Sequence, residues 1–125
     1  MNFRIARHTN KIKKITDFYI NILNLEILGS FTNHDNYDGV FIGKGKLDWH
    51  LEFTTSDELA EHQFDDDDIL VFYPTTRNLY DDIVENINTH KIKTHKAKNP
   101  FWNENGILIR DPDGYNIIVS DMKVE

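Results

Sequence analysis

The chain has 125 residues, a formal net charge of −7 at neutral pH, 39% hydrophobic residues and 28% charged residues. A chain of this length forms one domain, or two small repeats that share a core. Its negative charge argues against nucleic acid or an anionic membrane as a main partner. It contains no cysteine, which excludes disulfides, a thiol nucleophile and a thiolate metal site.

Membrane and export signals are also missing from the sequence. No hydrophobic run approaches the roughly 20 residues that a membrane span requires. The first residues contain no apolar core of the length found in signal peptides. We therefore expect a cytoplasmic protein.

The first half of the chain predicts the order strand, helix, strand, strand, strand. Apolar and polar residues alternate from Phe3 to Arg7, which is typical of a strand. Thr9 and Asn10 follow as a helix N-cap signal, and apolar residues then recur at helical spacing over residues 11–24. The remaining strands are expected at residues 25–32, 37–42 and 47–54, with turns at residues 33–36 and 43–46. In the second turn the glycines are expected to supply positive φ angles.

The fourth predicted strand has an unusual polar side, which consists of Asp48, His50, Glu52 and Thr54. His50 and Glu52 place an imidazole and a carboxylate roughly 7 Å apart on one face of that strand. If the face lines a cavity, the protein has a site there. If it faces water, the pattern is that of an ordinary exposed strand.

An acidic segment follows, which ends in the run Asp65–Asp68. A calcium loop needs ligands at defined spacing and a glycine turn, and this run has neither. The segment is therefore interpreted as a solvated linker. The expected organisation is a first module at residues 1–56, a linker at residues 57–68 and a second module at residues 69–125.

The second half repeats the order of the first. An apolar strand at residues 69–73 is followed by Pro74-Thr75-Thr76, which caps a helix that ends at His90 and Lys91. The later elements are expected to be a strand at residues 93–98, a loop at 99–105, and strands at 106–110 and 115–121 around the tight turn Asp111-Pro112-Asp113-Gly114. The predicted fold is α+β, with two βαβββ modules of about 55 residues, each too small to bury much apolar surface alone.

Paired βαβββ modules resemble the glyoxalase/bleomycin-resistance/extradiol-dioxygenase superfamily, also called vicinal oxygen chelate (VOC) proteins. The resemblance covers essentially the whole chain. Its marks are Phe18-Tyr19 at the end of a helix, the hairpin before Leu51-Glu52-Phe53, and Asp111-Pro112-Asp113-Gly114 before the last strand. The chain is similar to a small uncharacterised bacterial branch of that superfamily. The resemblance implies a curved mixed sheet around a cleft.

Metal-using members of the superfamily take four ligands from strand positions that face the cleft. The resemblance places these positions at Arg4 (Phe3 or Ile5 if the helix start shifts by one residue), Glu52, Ile69 and Ile118. A divalent ion in such a site needs three or four nitrogen or oxygen ligands. Isoleucine cannot coordinate a metal and a guanidinium repels a cation, so Glu52 is the one ligand left. Asp68 beside Ile69 is a weak substitute, and we expect no metal and no cofactor.

The sequence predicts that an ion pair between Arg4 and Glu52 stands where half of a metal site would be. The pair either plugs that site or orients a polar or anionic ligand, and both interpretations stay open. The cleft around it would have one polar and one apolar wall, as is usual for a small-molecule pocket. The predicted ligand-binding residues are Arg4, His8, His50, Glu52, Ile69, Tyr73, Trp102 and Ile118.

Several of these residues keep two interpretations. His50, with Glu52, is the candidate for acid/base catalysis, although a lone histidine on a strand is commonly structural. Tyr73 either donates a hydrogen bond to a ligand or packs with its hydroxyl satisfied. Trp102 either covers the cleft as an aromatic lid or anchors its loop. The other histidines outside the predicted site are expected at the surface: His34, His62, His90 and His95.

Three functions remain open on the sequence. The favoured one is a metal-free module that binds a small aromatic or amphipathic molecule and forms a homodimer, which is what the resemblance to drug-sequestering members implies. The second is an enzyme, either a lyase or isomerase that uses His50 and Glu52 or a dioxygenase-type protein with an atypical metal site. The third is a degenerate domain with a structural or interaction role. Neither nucleic acid nor a membrane is an expected partner.

Overall fold

A four-stranded sheet and one helix make up the first unit of the chain, Met1–His62, in a computed structural model that describes residues 1–124. Its elements are β1 (Phe3–His8), α1 (Ile12–Asn21), β2 (Glu26–His34), β3 (Tyr37–Gly43) and β4 (Trp49–Thr55). The strand order is β1-β4-β3-β2, with β1 parallel to β4 and the other neighbours antiparallel. This is the βαβββ order that the sequence predicts.

Helix α1 packs on one face of this sheet because its apolar residues recur on one side. Ile15, Phe18 and Tyr19 are buried, and the ring centroids of Tyr19 and Phe53 lie 5.1 Å apart. Burying side chains of this size contributes about 1.5–3 kcal/mol each. The helix thus covers one sheet face and leaves the other to the polar residues of β1 and β4.

The start of α1 differs from the prediction. The N-cap is Lys11, which makes no capping hydrogen bond through its side chain. Thr9 Oγ1 instead accepts from the Lys11 amide at 3.0 Å, and the Asn10 side chain pairs with the backbone of Ala60. The side chains of Thr9 and Asn10 therefore form hydrogen bonds with the backbone of segments next to the helix.

The two turns of this unit also differ from the prediction. Strand β2 extends to His34, and the β2–β3 turn narrows to Asp35 and Asn36, whose φ angles are 52° and 70°. Short polar side chains tolerate this left-handed region. In the next turn the positive φ belongs to Lys46, at 72°, and not to either glycine.

The second unit, Gln63–Glu125, has a smaller sheet and two helices in its described part. Its elements are β5 (Ile69–Phe72), α2 (Arg77–Thr89), α3 (Pro100–Asn105), β6 (Ile107–Arg110) and β7 (Asn116–Val119). The strand order is β5-β7-β6, with β5 parallel and β6 antiparallel to β7. The α+β class is confirmed in both units.

Two elements of the second unit were predicted wrongly. The strand expected at residues 93–98 is reduced to one bridge between His95 and Leu108. The loop expected at residues 99–105 contains helix α3, which Asn99 caps by accepting from the Phe101 amide at 3.1 Å. Proline in the first turn suits a helix start because its missing N–H has no helical partner to lose.

Two other expectations for this unit are confirmed. Thr76 caps α2, and its side chain accepts from the Leu79 amide at 3.1 Å. In the tight turn, Asp111 accepts from the Asp113 and Tyr115 amides at 3.0 Å, and Gly114 adopts a φ of 98°. None of the helices within residues 1–124 has both the length and the apolar character needed to cross a membrane.

Candidate functional site

One face of the first sheet collects the polar residues that the sequence singles out. In the parallel register of β1 and β4, Arg4 lies opposite His50, Ala6 opposite Glu52, and His8 opposite Thr54. Since side chains alternate along a strand, these six residues share one face. Helix α1 covers the opposite face, where Phe53 packs, so the polar face is left uncovered by that helix.

Arg4 is held by three neighbours on this face. Its Nε donates to His50 Nε2 at 2.8 Å, and its Nη1 lies 3.6 Å from Glu52 Oε1. Its guanidinium carbon lies 4.9 Å from the ring centroid of Phe41, within the range of a cation–π contact. The predicted pairing of Arg4 and Glu52 is therefore present, and His50 takes part in it.

The pair is unequally exposed to solvent. The side chain of Arg4 is 49% exposed, whereas that of Glu52 is 15% exposed. An ion pair with one exposed partner contributes about 0–1 kcal/mol to stability. The weak stabilisation expected from the pair contrasts with the number of contacts that orient Arg4.

An aromatic row that sequence reasoning missed lies beside Arg4. The Phe31 and Phe41 rings are 5.7 Å apart at 46°, and the His50 ring meets Phe41 edge to face at 5.8 Å. A Cβ placed at Gly39 would overlap Phe31 Cζ, so this ring lies across the bare backbone of Gly39. The alternation of Tyr37, Gly39 and Phe41 in the sequence was the signal that could have revealed this face.

The hydrogen bonds of His8, one of the predicted ligand-binding residues, lie within the first unit. Its Nδ1 is hydrogen-bonded to Thr54 Oγ1 at 2.8 Å, and its Nε2 to the Glu58 carbonyl oxygen at 3.0 Å and to Ser56 Oγ at 3.1 Å. Both ring nitrogens are thus used within the first unit. We interpret His8 as a brace that holds the segment after β4 against β1.

The corresponding face of the second sheet is filled by its own chain. Ile118 is fully buried, and a Cβ placed at Gly106 would lie 2.6 Å from its Cγ2. Ile69 and Trp102 line one cavity of only about 40 Å³, beside Leu108. That volume suits a few water molecules rather than a ligand. Trp102 lies on helix α3 and lines this cavity within its own unit, as expected of a residue that anchors its segment.

Other polar groups of the second unit are also used internally. Asn116 donates to the Asp66 carbonyl oxygen and accepts from Arg110 Nε, both at 3.2 Å. Ser120 Oγ donates to the Asn105 carbonyl oxygen at 2.5 Å. Tyr73 follows the end of β5 and is 37% exposed, so its packing is looser than that of Ile118.

The histidines expected at the surface divide into two groups. His34 and His90 are exposed, whereas His62 and His95 are half-buried, which corrects the prediction for those two. Burial lowers the pKa of His95 below its ordinary value, and the charges of Arg110 and Lys93 lower it further. Burial and the charge of Asp121 raise the pKa of Tyr80.

The residues at the four superfamily ligand positions do not fit a divalent metal. They offer one carboxylate, one guanidinium and two aliphatic side chains, and the guanidinium lies 3.6 Å from that carboxylate. Within residues 1–124, no three His, Asp or Glu side chains are grouped so that they could hold an ion. The donor set thus lacks the three or four nitrogen or oxygen ligands of such a site.

The fold is shared with glyoxalases and fosfomycin resistance proteins. The trypanothione-dependent glyoxalase I of Leishmania major matches 94% of this chain and 83% of its own, at a TM-score of 0.71 and 17% identity. A mutant of FosX from Listeria monocytogenes, complexed with Mn(II) and 1S,2S-dihydroxypropylphosphonic acid, matches 97% of this chain and 91% of its own, at 0.69 and 16%. The fold and the order of its elements place the chain among proteins with the glyoxalase-like fold, as the sequence predicts.

Closer relatives identify the family within that class. Protein YycE of Bacillus subtilis (strain 168) is 35% identical in an alignment of 124 residues that covers 96% of this chain and 87% of the relative. A crystal structure of a YycE protein of unknown function from Bacillus subtilis, described as a candidate glyoxalase/fosfomycin resistance protein, has a TM-score of 0.86 and 33% identity over 99% of this chain and 91% of that one. Models of the YycE-like N-terminal and C-terminal domains match residues 3–54 and 67–121, so the chain belongs to the YycE-like family.

Proposed function

We propose that the protein binds a small amphipathic molecule on the face of its first sheet that carries Arg4, His50 and Glu52, here called the Arg4 face. In this proposal the protein holds no divalent metal at that face. The observation that carries this proposal concerns Arg4, whose side chain is held by three neighbours and is yet 49% exposed. A charged side chain held in one orientation loses little rotamer entropy when a ligand binds it. Such preorganisation is typical of binding residues.

The contacts of Arg4 leave donors available for a ligand. A guanidinium has five N–H donors, and the contacts described use Nε and one side of Nη1. The N–H groups of Nη2 remain to meet a hydrogen-bond acceptor. The adjacent Phe41 and Phe31 rings supply the apolar contact area that a small-molecule site requires.

A metal-dependent reaction is disfavoured by the same geometry. A cation bound to Glu52 would lie next to the permanently charged Arg4, which competes for the carboxylate. Proton transfer by His50 is also disfavoured, because its Nε2 already accepts from Arg4 and only Nδ1 could exchange a proton. A binding role therefore fits this face better than a lyase, isomerase or dioxygenase role.

We further propose that the protein acts in the cytoplasm as a homodimer.

Ligand-induced stabilisation measured with Arg4→Ala tests the proposal. A ligand selective for the folded protein raises stability by about 2.7 kcal/mol at a concentration of 100 times its Kd. We expect compounds from a metabolite and drug library to raise the Tm of the wild type, and Arg4→Ala to abolish that shift. The Tm and the ligand-induced shift should both persist after the protein is treated with a chelator.

Arg77→Ala is the matched control for this experiment. Arg77 forms an ion pair with Asp121 at 3.0 Å and a cation–π contact with Tyr80 at 4.9 Å, but it lies on α2 of the second unit. Its removal should leave the ligand-induced shift unchanged. If Arg4→Ala lowers the Tm of the free protein and leaves every ligand-induced shift intact, Arg4 and Glu52 form only a structural plug and the proposal is wrong.

A further inference from the structure

The charges around Arg4 determine which ligands this face can bind. We infer that its ligand is flat and uncharged and carries a carbonyl or another neutral hydrogen-bond acceptor, in contrast to a carboxylate, phosphate or phosphonate. This inference rests on the proposed function and specifies the chemical class of the ligand.

The charge of Arg4 is already matched within the first unit. Glu52 Oε1 lies 3.6 Å from Nη1, so an acceptor bound at Nη2 would lie within roughly 5–8 Å of the same carboxylate. An anionic acceptor at that distance meets repulsion from Glu52 that offsets its attraction to Arg4. The net charge of −7 on the whole chain acts in the same direction.

His50 adds no positive charge to attract an anion. Its Nε2 accepts the Nε–H of Arg4, which is an obligatory donor, so this nitrogen carries a lone pair in the observed geometry. The site therefore presents N–H donors without a net positive charge. Such a site favours a neutral acceptor, because a neutral group keeps the hydrogen bond and avoids the repulsion from Glu52.

The aromatic row favours a flat ligand. Arg4 lies over one face of Phe41, and Phe31 continues the row across Gly39, where no side chain interrupts it. A planar ring can stack on a guanidinium plane or on an aromatic ring, whereas a saturated ring cannot form this contact over its whole face. An aromatic amide that stacks on this row would place its carbonyl oxygen within reach of Arg4.

Titration of 2-naphthamide and 2-naphthoate, followed by amide chemical shifts of the protein, tests the inference. The two compounds have the same shape and differ in charge. For a fragment of this size we expect the amide to bind with a Kd of about 1 mM. The carboxylate should bind at least about fivefold more weakly, because like charges are juxtaposed.

Three variants locate the effect on named side chains. Arg4→Ala and Phe31→Leu should each weaken binding of the amide, and the control Arg77→Ala should not. Glu52→Gln should increase the affinity for 2-naphthoate until it equals or exceeds the affinity for 2-naphthamide, because it removes the repelling charge and keeps the shape. Dispersion of the amide spectrum verifies that each variant is folded.

The outcomes separate this inference from the proposed function. Cyclohexanecarboxamide, titrated in the same way, supplies a non-planar amide for comparison. Equal or tighter binding of 2-naphthoate by the wild type, binding of cyclohexanecarboxamide as tight as that of 2-naphthamide, or no binding of either naphthalene compound overturns the inference. The first two results leave the proposed function in place if Arg4→Ala still abolishes binding. The proposed function itself fails if no compound of the library depends on Arg4.

Discussion

The two units of this protein have related topologies but use the same sheet face in different ways. In the first unit, that face carries Arg4, His50 and Glu52, and no helix of the unit covers it. In the second unit, Trp102 of helix α3 lines a small cavity with Ile69 and Leu108, and Ile118 is fully buried. Two related units can thus differ in whether the same sheet face stays free of a covering helix or is used for packing.

The difference has a physical cause in the sizes of the two sheets. All four residues of β7 are buried, whereas the seven-residue strand β4 alternates between buried and half-buried positions. A sheet of three four-residue strands buries little apolar surface on its own and needs additional cover. Helix α3 supplies that cover through Trp102, which lies in contact distance of the Gly106 position.

Replacing a buried aliphatic residue of the second unit by a carboxylate, which could bind a metal, should have the largest effect on stability. Ile118→Glu places an unpaired carboxylate at a fully buried position, and we expect the free energy of unfolding to fall by at least about 4 kcal/mol. Urea unfolding measures this change, and Ile118→Val, expected to cost about 0.5–1.5 kcal/mol, is the control. Near-normal stability of Ile118→Glu would mean that this face can open to water as the first one does.

A smaller effect is expected when the aromatic row of the first unit is displaced. The Cβ of Gly39→Ala would overlap Phe31 Cζ, so the ring must move, at a cost of about 1–3 kcal/mol. Denaturant unfolding of Gly39→Ala, Phe31→Leu and the double variant forms a cycle. We expect the two changes to be non-additive because the smaller leucine side chain in Phe31→Leu relieves the clash. Strict additivity would contradict the contact.

The smallest effect is expected in the pH dependence of stability, to which His95 of the second unit contributes. The pKa of His95 is lower in the folded protein than its ordinary value of 6.5, so the folded state favours the neutral ring. The unfolded chain then binds the proton more readily, and stability falls as the pH decreases from about 6.5 through the folded pKa. Unfolding free energies between neutral and mildly acidic pH should decline less steeply for His95→Gln. The exposed His34, changed to Gln, controls for loss of a histidine, and an unchanged slope in His95→Gln would contradict the prediction.

Local pattern was sufficient to predict much of the first unit. The period-two alternation around Glu52 and the helical period around Phe18 each depend on neighbours in the sequence, which the chain itself displays. The pairing of Arg4 with Glu52 followed because the superfamily topology makes their strands adjacent. The participation of His50 in that pairing was missed, since it depends on the exact register of β1 and β4.

The sequence by itself determined the α+β fold, the order of elements in the first unit and the residue types at the four expected ligand positions, because these depend on local pattern and residue identity. Only the tertiary structure decided that residues 93–98 form a single bridge, that Trp102 lies beside Ile69 and Leu108, and that Phe31 lies over Gly39. Those features depend on contacts between residues distant in the sequence, where packing overrides local propensity.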